Sequence, residues 1–263
     1  LRQDNKGYRV GKAIVPLVPG AVIFDLNIND KPHVNTIGEQ SPWRNLANKA
    51  YKSASEDFFL GSFGAGYGAT TATLKGGQGS SSWSQTFSNG KKYTVGAIVI
   101  NNAVGNPLLN EGPHFLSAYL EFGDEFGGYG VCNDRYDNIL RAKRLPNSIG
   151  KTAIFDKISN NTVIGVIATD APLSRANLKR LAIMAHDGIA RSISPAHTPM
   201  DGDTIFSITT SQDIKEQVLE NVDILALGSR ASDCVARACN RAIYEAEAIG
   251  NSKPGWKNFF KCK

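Results

Sequence analysis

The chain has 263 residues, 41% of them apolar and 20% charged, and carries a net charge of +5. That is the profile of a folded globular chain with room for a sizeable core, and it excludes a disordered polymer. The basic residues are scattered, with short clusters such as Arg141–Arg144 but no basic stripe interleaved with aromatics, so nucleic acid is not an expected partner. No apolar run approaches the ~20 residues of a membrane helix, and no membrane partner is expected.

Residues 9–28 read as short strands broken at Pro16 and Pro19. Ser41-Pro42 places an N-cap residue before proline, and predicts a helix to about Ser55. Residues 61–82 are rich in Gly, Ser and Thr, and 92–106 read as a strand ending in an Asn turn. Residues 107–160 are polar, aromatic and Gly-rich without period, long for a connection, and are expected to be functional or mobile. Thr162–Thr169 has the β-branched, apolar character of a buried strand. Ser174 caps a helix predicted to reach about Ile193, with Leu178, Leu181, Ala182, Ala185 and Ile189 on one face. A strand follows at 204–210, then a helix at about 219–249 stopped by Gly250. Strands apolar on both faces, alternating with amphipathic helices, imply sheets covered by helices.

Cys132, Cys234, Cys239 and Cys262 form no C-x-x-C pair and read as free thiols. Together with the absence of a signal-peptide pattern, they make a cytoplasmic location the expectation.

Gly64-Ala-Gly66-Tyr-Gly68-Ala69 satisfies G-x-G-x-x-A, but the acidic residue that a dinucleotide site needs about 20 positions on is missing. Such glycines can instead turn backbone N–H groups toward a substrate or an oxyanion, which makes Gly66 and Gly68 candidate substrate-binding positions. Asp201 and Asp203 flank a glycine, and in an extended segment they share one face. Two close carboxylates resist joint ionisation, so the pair could act as base and orienting group, or simply form an Asp-Gly turn. No two of His33, His114, His186 and His197 have metal-ligand spacing, and neither metal nor cofactor is expected. His186 reads as structural, and His197 lies near the Asp pair.

Asn161-Thr162 opens the strand at 162. It reads as an ordinary strand start or as a nucleophile. A threonine hydroxyl needs a base, and its own α-amine, with a pKa near ~8, serves once threonine becomes an N-terminus. Attack of the Thr162 hydroxyl on the Asn161 carbonyl would turn the peptide into an ester that water releases.

Three segments together resemble the β-peptidyl aminopeptidase / L-aminopeptidase–D-esterase family, with the nylon-oligomer (6-aminohexanoate-oligomer) hydrolase branch looking closest. They are "NNTVIGVIATDAPLSRANLKRLAIMAHDGIARSISPAHTPMDGDTIF", "GAGYGATTATLKGG" and "VGAIVINNAVGN". "PLVPGAVIFDL" and "ASDCVARACNRAIYEAEAIG" fit as well. The resemblance implies an α+β fold, an αββα sandwich of the N-terminal-nucleophile type, in a single domain that cuts itself into parts 1–161 and 162–263. Family members carry several strands ahead of the "PLVPGAVIFDL" segment, and only about a dozen residues precede it here, so N-terminal strands are expected to be missing from this chain. It implies cleavage between Asn161 and Thr162, with Thr162 as nucleophile, Asp201 and Asp203 as the acidic pair, and Asn102 at the oxyanion. The family lysine aligns with Thr73, while Lys75 stands two positions on and is the candidate to replace it. The implied function is an autoprocessed amidohydrolase of short peptides or amide oligomers, assembled as a tetramer of processed protomers. An ornithine-acetyltransferase-like acyltransferase, or an uncut binding scaffold, would use the same frame.

Overall fold

The computed structural model describes residues 4, 6–25, 43–109, 112–132, 161–211, 219–250 and 252–260. Near the start, β1 (Tyr8–Val10) and β2 (Ala13–Val15) form a small antiparallel hairpin. Pro16 and Pro19 end it, and residues 16–25 continue without strand pairing. Helix α1 spans Trp43–Lys52; Ser41 and Pro42 lie outside the described residues.

The central sheet has four strands, β3 (Gly77–Thr86), β4 (Lys92–Asn102), β5 (Thr162–Thr169) and β6 (Thr204–Thr209), in that spatial order. The β3/β4 and β4/β5 pairs are antiparallel and β5/β6 is parallel. Between β5 and β6 runs α2 (Arg175–Ser192), and after β6 comes α3 (Asn221–Tyr244). Both helices cover one sheet face. Val95, Val99, Val163 and Ile167 of the strands meet Leu181, Ala185, Ile189, Leu227 and Val235 of the helices in one buried core. Full burial of such side chains contributes about 1.5–3 kcal/mol each. The Ser174 hydroxyl accepts from the Asn177 N–H and caps α2 as expected.

The opposite face carries Ile98, Val166 and Ile208, each more than a third exposed. Residues Pro19–Ala21 run across part of it. The described residues thus supply one sheet with its helical layer.

The strands expected beyond Pro16 are not formed over residues 16–25, while 26–28 lie outside the described residues, and three further expectations differ from the structure. Residues 77–86 form a strand, although Gly and Ser dominate them. Gly77, Gly79 and Ser81 face α3, and a Cβ added at Gly79 would overlap the Ala238 carbonyl oxygen. The small residues seat the helix on the sheet. Gly79→Ala is therefore expected to cost about 2–3 kcal/mol by overpacking, read as a lower urea midpoint with an unchanged slope. Helix α3 ends at Tyr244, short of Gly250, because the Gly61–Ser62 turn docks at its end and Ser62 Oγ bonds to Glu247. Residues 112–132, read as aperiodic, build a second core. Phe115 and Phe126 pack around Trp256, the fully buried first residue of the short helix α4 (Trp256–Phe259). Glu125 clamps this segment to α3 through two bonds to the Arg237 guanidinium, at 2.6 and 2.9 Å. Residues 133–160 lie outside the described set.

Candidate active site

Thr162 is the first residue of β5, paired with Asn102 at the end of β4. The register brings the Asn turn and the threonine together at one end of the sheet. Thr162 is buried, and its hydroxyl donates to the carbonyl of Asn161. That same carbonyl accepts the Gly202 N–H at 2.9 Å, while the Asn161 N–H donates to the Met200 carbonyl at 2.9 Å. Asn161 therefore lies as a one-residue parallel bridge against Asp201.

The Asp pair closes on this point from the same segment. Asp203 Oδ1 accepts the Val163 N–H at 2.7 Å, and its Oδ2 lies 2.7 Å from His197 Nδ1. Asp201 Oδ1 accepts the Val104 N–H at 3.1 Å, and its Oδ2 accepts the Thr198 hydroxyl at 2.6 Å. One carboxylate thus braces the strand beginning at Thr162, and the other ties residues 198–201 to the turn after β4. His197 adopts φ 54°, the left-handed region, which aims its ring at Asp203. The His186 ring lies 5.1 Å from it. Burial first, and the His197 ring second, hold His186 below its ordinary value, which suits the structural role read for it.

Asn102 is fully buried. Its Oδ1 accepts the Thr70 N–H at 2.9 Å, so its Nδ2 is oriented outward and donates to the Phe24 carbonyl at 3.2 Å. Val22–Phe24 form one wall of a cleft of about 380 Å³ whose other wall is Asn161, Thr162 and Gly202.

Lys75 is fully buried and Thr73 is exposed. The Lys75 ammonium donates to the carbonyls of Gly66, Ala69 and Gly76 at 3.2, 2.7 and 3.1 Å. Ala69 precedes Thr70, so the lysine braces the turn that fixes Asn102. Gly66 packs against the backbone of Gly61 and Gln78, and Gly68 packs against the Asp25 side chain. The glycine run serves close packing here. Its three-residue 3-10 turn at Gly64–Gly66 opens no α-helix, so the helix N-terminus that would seat a pyrophosphate is lacking.

Burial lowers the Lys75 ammonium to about 8, with the Asp25 carboxylate opposing the shift. Burial likewise lowers Lys253 to about 8. Both sit below the ordinary 10.5, so above about pH 8 the unfolded chain binds more protons and stability rises with pH. Cys234 and Cys239, pushed up by burial to about 11 and about 12, act in the opposite sense above their ordinary 9.0. The rise is therefore expected between pH 8 and 9, at up to about 1.4 kcal/mol per pH unit from Lys75. Melts at pH 8 and 9 check this, with Lys75→Met losing that residue's share.

The model of peptidase family S58 matches residues 1–254. The chain belongs to peptidase family S58. Over 268 residues it is 33% identical to an uncharacterized aminopeptidase of Mycobacterium bovis, covering 99% of this chain and 72% of the relative. Over 219 residues it is 26% identical to the 6-aminohexanoate-oligomer endohydrolase of Kocuria sp., covering 78% and 53%. The solved L-aminopeptidase D-Ala-esterase/amidase of Ochrobactrum anthropi, a variant of the Ntn hydrolase fold, superposes with a TM-score of 0.50 at 24% identity. That match covers 78% of this chain and 50% of the solved one, so the S58 chain spans about half the length of that structure. The Ntn fold and the family read from the three segments both hold.

The side-chain candidates Thr162, Asp201, Asp203 and Asn102 converge at one end of the sheet, with Lys75 one layer behind through Ala69–Thr70. The Gly202 N–H and the Met200 carbonyl, both on Asn161, escaped the sequence reading because backbone groups carry no residue signature.

Proposed function

We infer that the protein is an amidohydrolase that cuts its own chain between Asn161 and Thr162 and then uses Thr162 as an N-terminal nucleophile. The observation that carries this is the Thr162 hydroxyl on the Asn161 carbonyl, whose oxygen also accepts the Gly202 N–H at 2.9 Å. A hydroxyl and a polarising donor converge on one peptide bond. Attack would form the Oγ–C bond, break the C–N bond and pass the hydroxyl proton to the Thr162 nitrogen. Water would then hydrolyse the ester and leave a free α-amine on Thr162.

In turnover the same hydroxyl attacks a substrate amide, with that amine as its base. The leaving amine departs with the proton, and water releases the acid and returns a proton to Oγ. Asp203 and Asp201 hold the nucleophile's strand and the facing segment. Asn102 would stabilise the oxyanion, a reading supported by its amide, which donates to a carbonyl oxygen, that of Phe24. The Lys75 ammonium supports Asn102 through the Ala69–Thr70 turn. The pieces 1–161 and 162–263 would stay together, because β4 and β5 pair over eight residues across the cut. Substrates are short peptides or amide oligomers, as the aminopeptidase and oligomer-hydrolase names of the relatives suggest.

The test is covalent trapping. Incubation with p-nitrophenyl acetate should add one acetyl mass to the piece beginning at Thr162. Labelling that maps to another residue in samples quenched before deacylation, or that persists in Thr162→Ala, would contradict the assignment.

A further inference from the structure

Asn161 is gripped on both its polar backbone groups by one short edge. Its N–H donates to the Met200 carbonyl and its carbonyl accepts the Gly202 N–H, each at 2.9 Å. Self-cleavage would place the Asn161 acyl group on Thr162 Oγ as an ester, with the Thr162 amine free. Turnover would place a substrate acyl group on the same oxygen, beside the same amine. The two esters have the same connectivity at the reacting atoms, so an edge that fits one presents its groups to the other.

We propose that the Met200–Gly202 edge is the acyl-residue subsite, occupied first by Asn161 and then by the substrate, and that it selects α-aminoacyl amides. The inference rests on Thr162 being the nucleophile. The substrate carbonyl oxygen takes the Gly202 N–H, and the substrate amino group donates to the Met200 carbonyl. In Asn161 these two groups are separated by a single tetrahedral carbon. An α-aminoacyl group has that spacing. A β-aminoacyl group inserts one more carbon, and a 6-aminohexanoyl group places five methylenes between amine and carbonyl, so neither satisfies both backbone groups without bending.

Gly202 also belongs to this selection for a steric reason. A Cβ there would stand 3.3 Å from Thr162 Oγ1, the atom on which the acyl group would sit. The edge therefore approaches the nucleophile closely enough for its N–H to serve a carbonyl attached to Oγ. The bonds that form and break are those of ordinary acyl transfer: Oγ–C forms and C–N breaks, with the proton leaving on the amine. Water then cleaves Oγ–C and restores the hydroxyl.

The experiment uses the purified protein, its chain state read by intact mass in the same sample. It compares kcat/KM for L-alanyl-, β3-homoalanyl- and 6-aminohexanoyl-4-nitroanilide. The α-aminoacyl substrate is expected to lead the β3-homologue by about tenfold or more, the range that one misplaced methylene produces. A cleaved chain that turns over either longer amine at least as well overturns the subsite while leaving the nucleophile standing. A cleaved chain that hydrolyses none of the three also overturns it. A chain that stays whole overturns the nucleophile and the subsite together.

Discussion

Thr162→Ala is expected to leave the protein as one uncut chain without amidase activity, whereas Thr162→Ser is expected to cleave and to work. Alanine removes the only atom of residue 162 that can attack the Asn161 carbonyl, and it leaves that carbonyl bonded to the Gly202 N–H alone of the two donors described above. Serine keeps the hydroxyl and loses a methyl group. Neither change disturbs the pairing of β5 with β4 and β6, which is made by backbone groups. Circular dichroism should therefore report an unchanged fold while gel mobility and amide turnover separate the two variants.

The second large effect is expected from Asp203→Asn. The side chain of Asp203 is 5% exposed, and its two oxygens are committed to the Val163 N–H and to His197. An amide supplies an acceptor to only one of those partners and removes the negative charge beside Thr162. On the reading of Asp203 as the base that takes the Thr162 proton, loss of such a group costs about 10²–10⁴ in rate. Self-cleavage of the Asn variant is accordingly expected to slow by at least about a hundredfold, followed as the fraction of whole chain against time. His197→Ala removes one of the two partners and keeps the carboxylate, so its slowing should be smaller. Equal loss in both variants would mean that the ring, rather than the charge, is what the site needs.

Parts of this site are legible in the residues and parts are not. Strand Thr162–Thr169 and helix Arg175–Ser192 carry their own local signals, a β-branched apolar run and a Ser174 cap before a periodic face. Asp201-Gly-Asp203 and the Asn pair at 101–102 stand out as residue types suited to acid–base and oxyanion work. Strand Gly77–Thr86 is hidden because its residues were chosen for the thickness of the helix lying on it, and glycine and serine have poor intrinsic strand preference. The position of Lys75 depends on three carbonyls, from Gly66, Ala69 and Gly76, that only the folded turn brings together. Phe115 and Phe126 look like stray aromatics until Trp256 arrives from the far end of the chain.

Of everything proposed for the site, self-cleavage of the Asn161–Thr162 peptide bond is the central step. Intact-mass measurement of the purified protein, with N-terminal sequencing of the products, tests it most directly. Two pieces of 161 and 102 residues, the second beginning at Thr162, are the predicted result. A folded protein that remains a single 263-residue chain after long incubation would contradict the account, since Thr162 would then have no free amine to act as its base.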